Sequence, residues 1–264
     1  MSKAAFIYNY VKYFFKANNR HDIHSPFLFN LVNAVLYDKS PYPTFGKIEK
    51  LRKRLKNDST PVTLTDFGAG SIVGAINKTK KSTVKVIAGS AAKPGKYAQL
   101  LFRLAAYLQP RQMIELGTSL GISACYQAAA VPDAKLITCE GSDVLAGIAR
   151  QNFNELNLNN IEVVTGNFDE TLPLVLSKMN SVDWVFFDGN HRKEPTISYF
   201  KLALEKINNN TVFIFDDINW SSQMQEAWQE IKQNDKVVVT IDIFMMGIVL
   251  FNTDLSRQHF VIRY

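Results

Sequence analysis

The sequence predicts a doubly wound α/β fold: a seven-stranded, mostly parallel sheet with a terminal antiparallel hairpin, plus a mainly helical N-terminal appendage. From Arg111 onward short apolar runs alternate with helical patterns, the pattern by which crossover units build a parallel sheet. The last two runs are separated only by a short Phe244-Met245 turn, which leaves no room for a crossover, so they pair as a hairpin. The 264 residues suffice for a sizeable core, and 47% hydrophobic with 20% charged residues exclude a disordered or fibrous chain.

At the N-terminus, Ala4 to Lys16 is an aromatic run interrupted by Asn9 and Lys12. No small-residue cleavage site follows, so it does not read as a signal peptide. With Lys3, Lys12 and Lys16 it admits either an interfacial membrane helix or a helix docked on its own domain or on a second subunit. Loops are expected at Ser40-Pro41-Tyr42-Pro43 and around Gly68-Ala69-Gly70. Between them, the basic run Lys47 to Lys56 carries Ile48, Leu51 and Leu55 at helical spacing, so its charges form a solvated helix face. Tyr97, Leu100, Leu101, Leu104, Ala105 and Leu108 then mark a helix that ends at Pro110, beside the first sheet strand. Five strands are expected near 112–116, 135–140, 161–165, 182–188 and 211–216, with the hairpin at 237–243 and 246–251. These elements divide the chain into an appendage, 1–95, and a sheet domain, 96–264.

The net charge of +6 conceals a division. Residues 1–110 hold 18 basic and 5 acidic side chains, and residues 111–264 hold 12 and 19. Such asymmetry raises the possibility of a nucleic-acid or membrane-facing arm. Cys125 and Cys139, both in apolar context, are no disulfide framework and point to a reducing cytoplasm. No apolar run reaches the roughly 18 residues of a membrane span.

The informative stretch is Glu115-Leu116-Gly117-Thr118-Ser119-Leu120-Gly121, where the first strand turns into its helix. Glycine there lets the backbone turn tightly and approach a ligand. The Gly-x-x-x-Gly spacing departs from the dinucleotide fingerprint, which disfavours a dinucleotide. The second strand ends 25 residues later at Glu140, where a carboxylate can accept hydrogen bonds from both hydroxyls of a ribose. Together these mark a ligand site.

Glu-Leu-Gly-Thr-Ser-Leu-Gly followed by Thr138-Cys139-Glu140-Gly141 resembles the first two motifs of class I S-adenosylmethionine-dependent methyltransferases, whose Rossmann-like sheet also ends in an antiparallel hairpin. The resemblance covers roughly residues 95–251. It implies that Glu115, Gly117, Thr118, Ser119, Gly121, Glu140 and Gly141 contact the cofactor, the glycine loop lying against its methionine part and Glu140 holding the ribose. Gly166-Asn167-Phe168-Asp169 resembles the segment along the adenine, which adds Asn167 and Phe168; a turn and helix cap is the other reading of Asn167 and Asp169. Asp188 is also assigned to the cofactor set. Ahead of the sheet, Arg20-His21-Asp22-Ile23-His24-Ser25-Pro26-Phe27 and Asp66-Phe67-Gly68-Ala69-Gly70-Ser71 look similar to the leading segment of a bacterial O-methyltransferase-like subgroup. The second of these mimics the cofactor motif but lacks a second-strand acid, so it reads as a loop of the appendage or part of a lid. His21 and His24 form a His-x-x-His pair without further clustered ligands, which argues against a metal there.

Methyl transfer asks the enzyme to align the acceptor, exclude water and take the proton of a hydroxyl. The groups that do so should stand at the carboxyl ends of the strands, where Asp188 and the pair Asp216-Asp217 fall. Three carboxylates so placed call for a hard divalent ion or for divergence into caps. Catechol-type and caffeoyl-CoA-type O-methyltransferases resemble this arrangement, with an Asp and an Asp-Asn pair on a magnesium-class ion, which implies a site of Asp188, Asp216 and Asp217 for Mg2+ or another divalent cation. His191 matches the family's basic lysine, and an imidazole with an ordinary pKa of about 6.5 can take such a proton near neutral pH; hydrogen bonding to backbone is the other reading. Asp188 and His191 are thus the candidate catalytic pair, with Lys193 as a second candidate base. Trp220 is read as an acceptor-pocket wall or as core packing, and Ser222 with Gln225 as a capping box that opens the next helix.

The resulting expectation is a cytoplasmic O-methyltransferase of a small-molecule acceptor, with a possible homodimer. A nucleic-acid methyltransferase ranks second, because the Asn/Asp-Pro-Pro-aromatic motif of amino-methylating enzymes is absent after the fourth strand. A non-catalytic cofactor-binding protein is the third reading.

Overall fold

The computed structural model describes residues 3–19, 23, 25–65, 79–90 and 94–264. His21, His24 and the segment Asp66 to Ser71, with its glycine loop, lie outside the described residues. Two compact units are present, Met1–Leu36 with Leu176–Tyr264, and Tyr37–Val175.

In chain order, α1 (Lys3–Lys16) and α2 (Pro26–Leu31) open the first unit, and α2 runs on into a π-helical turn over Val32–Leu36. The second unit carries α3 (Pro43–Asn57), β1 (Pro61–Thr65), β2 (Thr79–Thr83), α4 (Val84–Ser90), α5 (Gly95–Leu108) and β3 (Gln112–Leu116). It continues with α6 (Ile122–Ala130), β4 (Lys135–Glu140), α7 (Asp143–Glu155), β5 (Ile161–Thr165) and most of α8 (Phe168–Ser177). The first unit resumes with β6 (Val182–Phe187), α9 (Lys193–Ala203), β7 (Ile207–Asp216), α10 (Ser222–Gln233), β8 (Val239–Asp242), β9 (Met246–Leu250) and β10 (Gln258–Val261).

In the second unit β3, β4 and β5 pair in parallel, with Ile114 opposite Ile137 and Thr138 opposite Val163. Residues on both faces of β3 and β4 are buried, as the apolar runs require. Helix α5 stops at Gln109, whose left-handed backbone (φ 52°) precedes Pro110. Helix α3 buries Ile48, Leu51 and Leu55. Of its cations, Arg52 pairs with Glu49 at 3.0 Å and Arg54 with Glu155 at 2.7 Å, so part of the basic run is engaged within the unit.

In the first unit β6 and β7 are parallel, β9 is antiparallel to both β7 and β8, and β10 is parallel to β8. Trp184, Phe186, Phe213 and Phe215 are fully buried, and Phe187 stacks on Phe215 at 4.4 Å. Strand β9 passes beneath α10 at Gly247, where a Cβ would stand 2.5 Å from Trp228 Cη2. Only the absence of a side chain admits the indole there.

The predicted fold class holds, with three differences. Among the described residues the sheet strands number eight, because β10 adds to the expected seven. Its residues are exposed or half-buried and show no apolar alternation, so pairing with β8 specifies it rather than its own pattern. Second, β1 and β2 form an antiparallel pair inside the segment 1–95, where the sequence pointed mainly to helix. Third, α10 is capped by Ser221, whose hydroxyl accepts the N–H of Met224 at 3.2 Å, and not by Ser222. Gln225 donates instead to Asn219 Oδ1.

The hairpin turn also anchors α1. Phe244 sits at φ 71°, and its ring meets Phe6, Tyr10 and Tyr13 at 5.0–5.2 Å. The Tyr13 hydroxyl donates to the carbonyl of Ile262. Among the described residues no helix is long and apolar enough to cross a membrane.

Candidate active site

The glycine loop turns through three left-handed residues, Gly117 (φ 104°), Ser119 (φ 49°) and Gly121 (φ 80°). The first two N–H groups of the turn, Gly117 and Thr118, both donate to the Cys139 carbonyl, which ties the loop to β4. Gly121 opens α6, and a Cβ there would lie 2.5 Å from Phe153 Cε1, so glycine is required by both backbone and packing. Asn152 supports the same turn by donating to the Leu120 carbonyl.

Glu115 and Thr118 are buried beneath this loop. Gln127 Nε2 donates to Glu115 Oε1 at 2.8 Å and the Thr138 hydroxyl to Glu115 Oε2 at 2.7 Å. With its proton so used, Thr138 accepts that of Thr118 at 2.6 Å. The result is a relay that holds the turn from below. A buried acid is tolerated there because both oxygens are hydrogen-bonded.

Glu140 ends β4 almost fully buried. Its two oxygens accept the backbone N–H groups of Ser119 (2.7 Å) and Ser142 (2.9 Å). Burial pushes its carboxyl above the ordinary range, while bonds from Ser142, Ser119 and Gly141 pull it back. The hydroxyl of Ser142 caps α7 at Leu145. Ser119 Oγ is buried with no hydrogen-bond partner among the described residues, an orphan that a polar ligand would satisfy. Beyond β5, Gly166 (φ 139°) leads to Asn167, whose side-chain oxygen accepts the N–H of Asp169 while its carbonyl accepts those of Glu170 and Thr171. The cap reading of Asn167 therefore describes its bonds, and Phe168 begins α8 half-buried beside it.

The candidate catalytic residues lie in the first unit. Asp188 follows β6, Asp216 ends β7, and His191 follows Asp188 by three residues. One ligand atom from each of the three falls within 4.8 Å of the others, and His191 Nε2 is 3.8 Å from Asp188 Oδ1. Asp216 is buried, and Asp188 and His191 are half-buried. The two carboxylates at this spacing are an oxygen donor pair that fits a divalent cation, with the imidazole beside them. Asp217 was expected in this set but is not a member of the group. The chain leaves the strand there at φ 54°, and the Asp217 carbonyl accepts the Trp220 N–H. Lys193 is held by Glu226 at 3.2 Å on the face of α10, and Trp220 is exposed, edge-on to Phe6.

Sequence reasoning missed Thr138, Gln127, Ser142 and Phe153. Of these only Ser142 carried a signal, the Ser-Asp pair at a helix start. Both cysteines are buried free thiols, and burial pushes Cys139 up to about 11.

A family model for a methyltransferase domain matches residues 114–218. A catechol O-methyltransferase of Niastella koreensis is 30% identical over 158 residues, 59% of this chain and 69% of that protein. Among solved structures, an O-methyltransferase from Bacillus cereus in complex with SAH superposes with a TM-score of 0.54 at 20% identity, covering 84% of this chain and 96% of that one. The O-methyltransferase TomG of Streptomyces achromogenes, involved in tomaymycin synthesis and solved with SAM, gives 0.57 at 18% identity over 81% and 91%. The two structures share the fold; the N. koreensis relative carries the family. The chain belongs to the class I S-adenosylmethionine-dependent O-methyltransferases.

Proposed function

We propose that this enzyme methylates a hydroxyl of a small, catechol-like acceptor in the cytoplasm, with a divalent cation at Asp188 and Asp216. The observation that carries the proposal is the group of Asp188, His191 and Asp216, with ligand atoms within 4.8 Å of one another. The relative from N. koreensis is a catechol O-methyltransferase, and a cation held by two carboxylates suits an acceptor with two adjacent oxygens. Cys125 and Cys139 of this chain, both buried thiols, suit a reducing compartment.

The proposed cofactor contacts divide by their bonds. Gly117, Ser119 and Gly121 supply the close backbone approach, and Ser119 Oγ offers an unused polar atom. Ionised Glu140 would accept the ribose hydroxyls, with Gly141, Asn167 and Phe168 completing the set. Glu115 and Thr118 act as positioning residues, since their side chains are engaged in the relay under the loop. S-Adenosylmethionine supplies the methyl group when bound. His191 would take the acceptor's proton, its nitrogen standing 3.8 Å from Asp188. A cation at the two carboxylates would hold the acceptor oxygen and favour its ionised form. Asp217 falls outside the group.

The test is incubation with S-adenosylmethionine and catechol, read by mass spectrometry of the methyl ether, with and without chelator. Product that disappears with chelator and with Asp216→Asn is expected. Full turnover in excess chelator would remove the cation, and absence of any methyl ether would remove the catechol-like acceptor.

A further inference from the structure

Surface helices turn a polar face to water and an apolar stripe to the core. Helix α1 does not. The side that holds Phe6, Tyr10 and Tyr13 is docked on Phe244, yet the other side is also apolar. At 100° per residue Ile7, Tyr8, Val11, Phe14 and Phe15 fall on one continuous arc. All five are exposed, Phe15 at 82%, Tyr8 at 67% and Ile7 at 61%.

The rim of this arc is cationic. Lys12 and Lys16 follow Tyr8 along one i+4 row, both exposed, and the Arg263 guanidinium lies 4.0 Å over the Phe14 ring while Arg263 Nη2 donates to the Phe14 carbonyl. Residues 1–21 contain Lys3, Lys12, Lys16 and Arg20 and no acidic residue. A second copy of the chain on this face would bring the same cations to the same rim. An anionic bilayer surface supplies the opposite charge, and lysine stems can lie along the apolar arc while their ammonium groups reach the headgroups.

We propose that the outward face of α1 is a membrane-surface site for anionic phospholipid, which seats the enzyme on a bilayer without spanning it. The proposal is independent of the acceptor and of the cation.

The experiment is co-sedimentation of the full chain with vesicles of phosphatidylcholine alone or mixed with phosphatidylglycerol, beside sedimentation velocity of the chain without lipid. Binding to the anionic vesicles is expected to exceed that to the zwitterionic ones about tenfold or more, and to fall steeply with salt. Phe15→Ser should weaken it about tenfold through lost apolar burial, and the double variant Lys12→Glu/Lys16→Glu should remove the preference for the anionic lipid. All three substituted positions are exposed, and unchanged thermal melting of the variants shows that they fold. No sedimentation with either vesicle overturns the proposal, as does binding indifferent to lipid charge and to the lysines. A lipid-independent dimer that Phe15→Ser dissociates, without vesicle binding, assigns the face to a second copy instead.

Discussion

The carboxylate of Glu140 accepts the backbone N–H of Ser119 at 2.7 Å, which joins the acid at the end of β4 to the middle of the glycine loop. Its other oxygen accepts the Ser142 N–H, so one buried side chain sets the loop and the start of α7 together. A ribose taken up by Glu140 would therefore be sensed by both segments.

Glu140→Gln should weaken binding of S-adenosylhomocysteine by roughly 10–100-fold, the loss of one charge-assisted hydrogen bond or more. Calorimetry measures it. An unchanged affinity would mean that the ribose is held elsewhere.

Burial raises the Glu140 carboxyl above its ordinary value of 4.5, so the fold favours the protonated form. The stability contributed by this group is therefore fully present below 4.5 and is lost as pH rises through the folded value. Two outcomes are expected. Wild type should gain in melting temperature relative to Glu140→Gln as pH falls from neutrality toward 4.5. With the ribose on the ionised carboxylate, as proposed, affinity for S-adenosylhomocysteine should fall over the same window in wild type and stay flat in the variant. Parallel pH profiles for the two proteins would contradict this account.

At Gly121 an added Cβ would meet both a left-handed backbone and the Phe153 ring at 2.5 Å. Gly121→Ala should cost at least about 2 kcal/mol, with a fall in melting temperature of about 5–10 °C. Phe153→Leu in the same chain should recover part of it. Gly147→Ala, where a Cβ meets nothing within 4 Å on helix α7, should instead raise stability slightly.

The cap of α10 separates two adjacent serines. Ser221→Ala should cost about 1 kcal/mol in urea unfolding, and Ser222→Ala should be near neutral. The reverse ranking would restore Ser222 as the cap.

Strands β3, β4 and β6 are legible because their apolar runs are buried on both faces and stop at polar or glycine positions, so local pattern and burial agree. The glycine loop is legible for a similar reason, since a left-handed turn between strand and helix selects glycine by itself. Strand β10, however, has no pattern of its own and exists because β8 offers an edge.

The site shows the same division. Residue types and their order along the chain determined that Glu140, Asp188 and Asp216 stand at or just past strand ends, since each acid follows an apolar run. Tertiary structure alone decided that the His191 ring comes within reach of the Asp216 carboxylate as well as of Asp188, while Asp217 stays outside the group. It also decided that Glu115 and Thr118 are spent on Thr138 and Gln127, partners 12–23 residues from Glu115 that no local spacing announces. Sequence records which chemistry is present at each strand end; pairing and backbone torsion determine which of those groups meet.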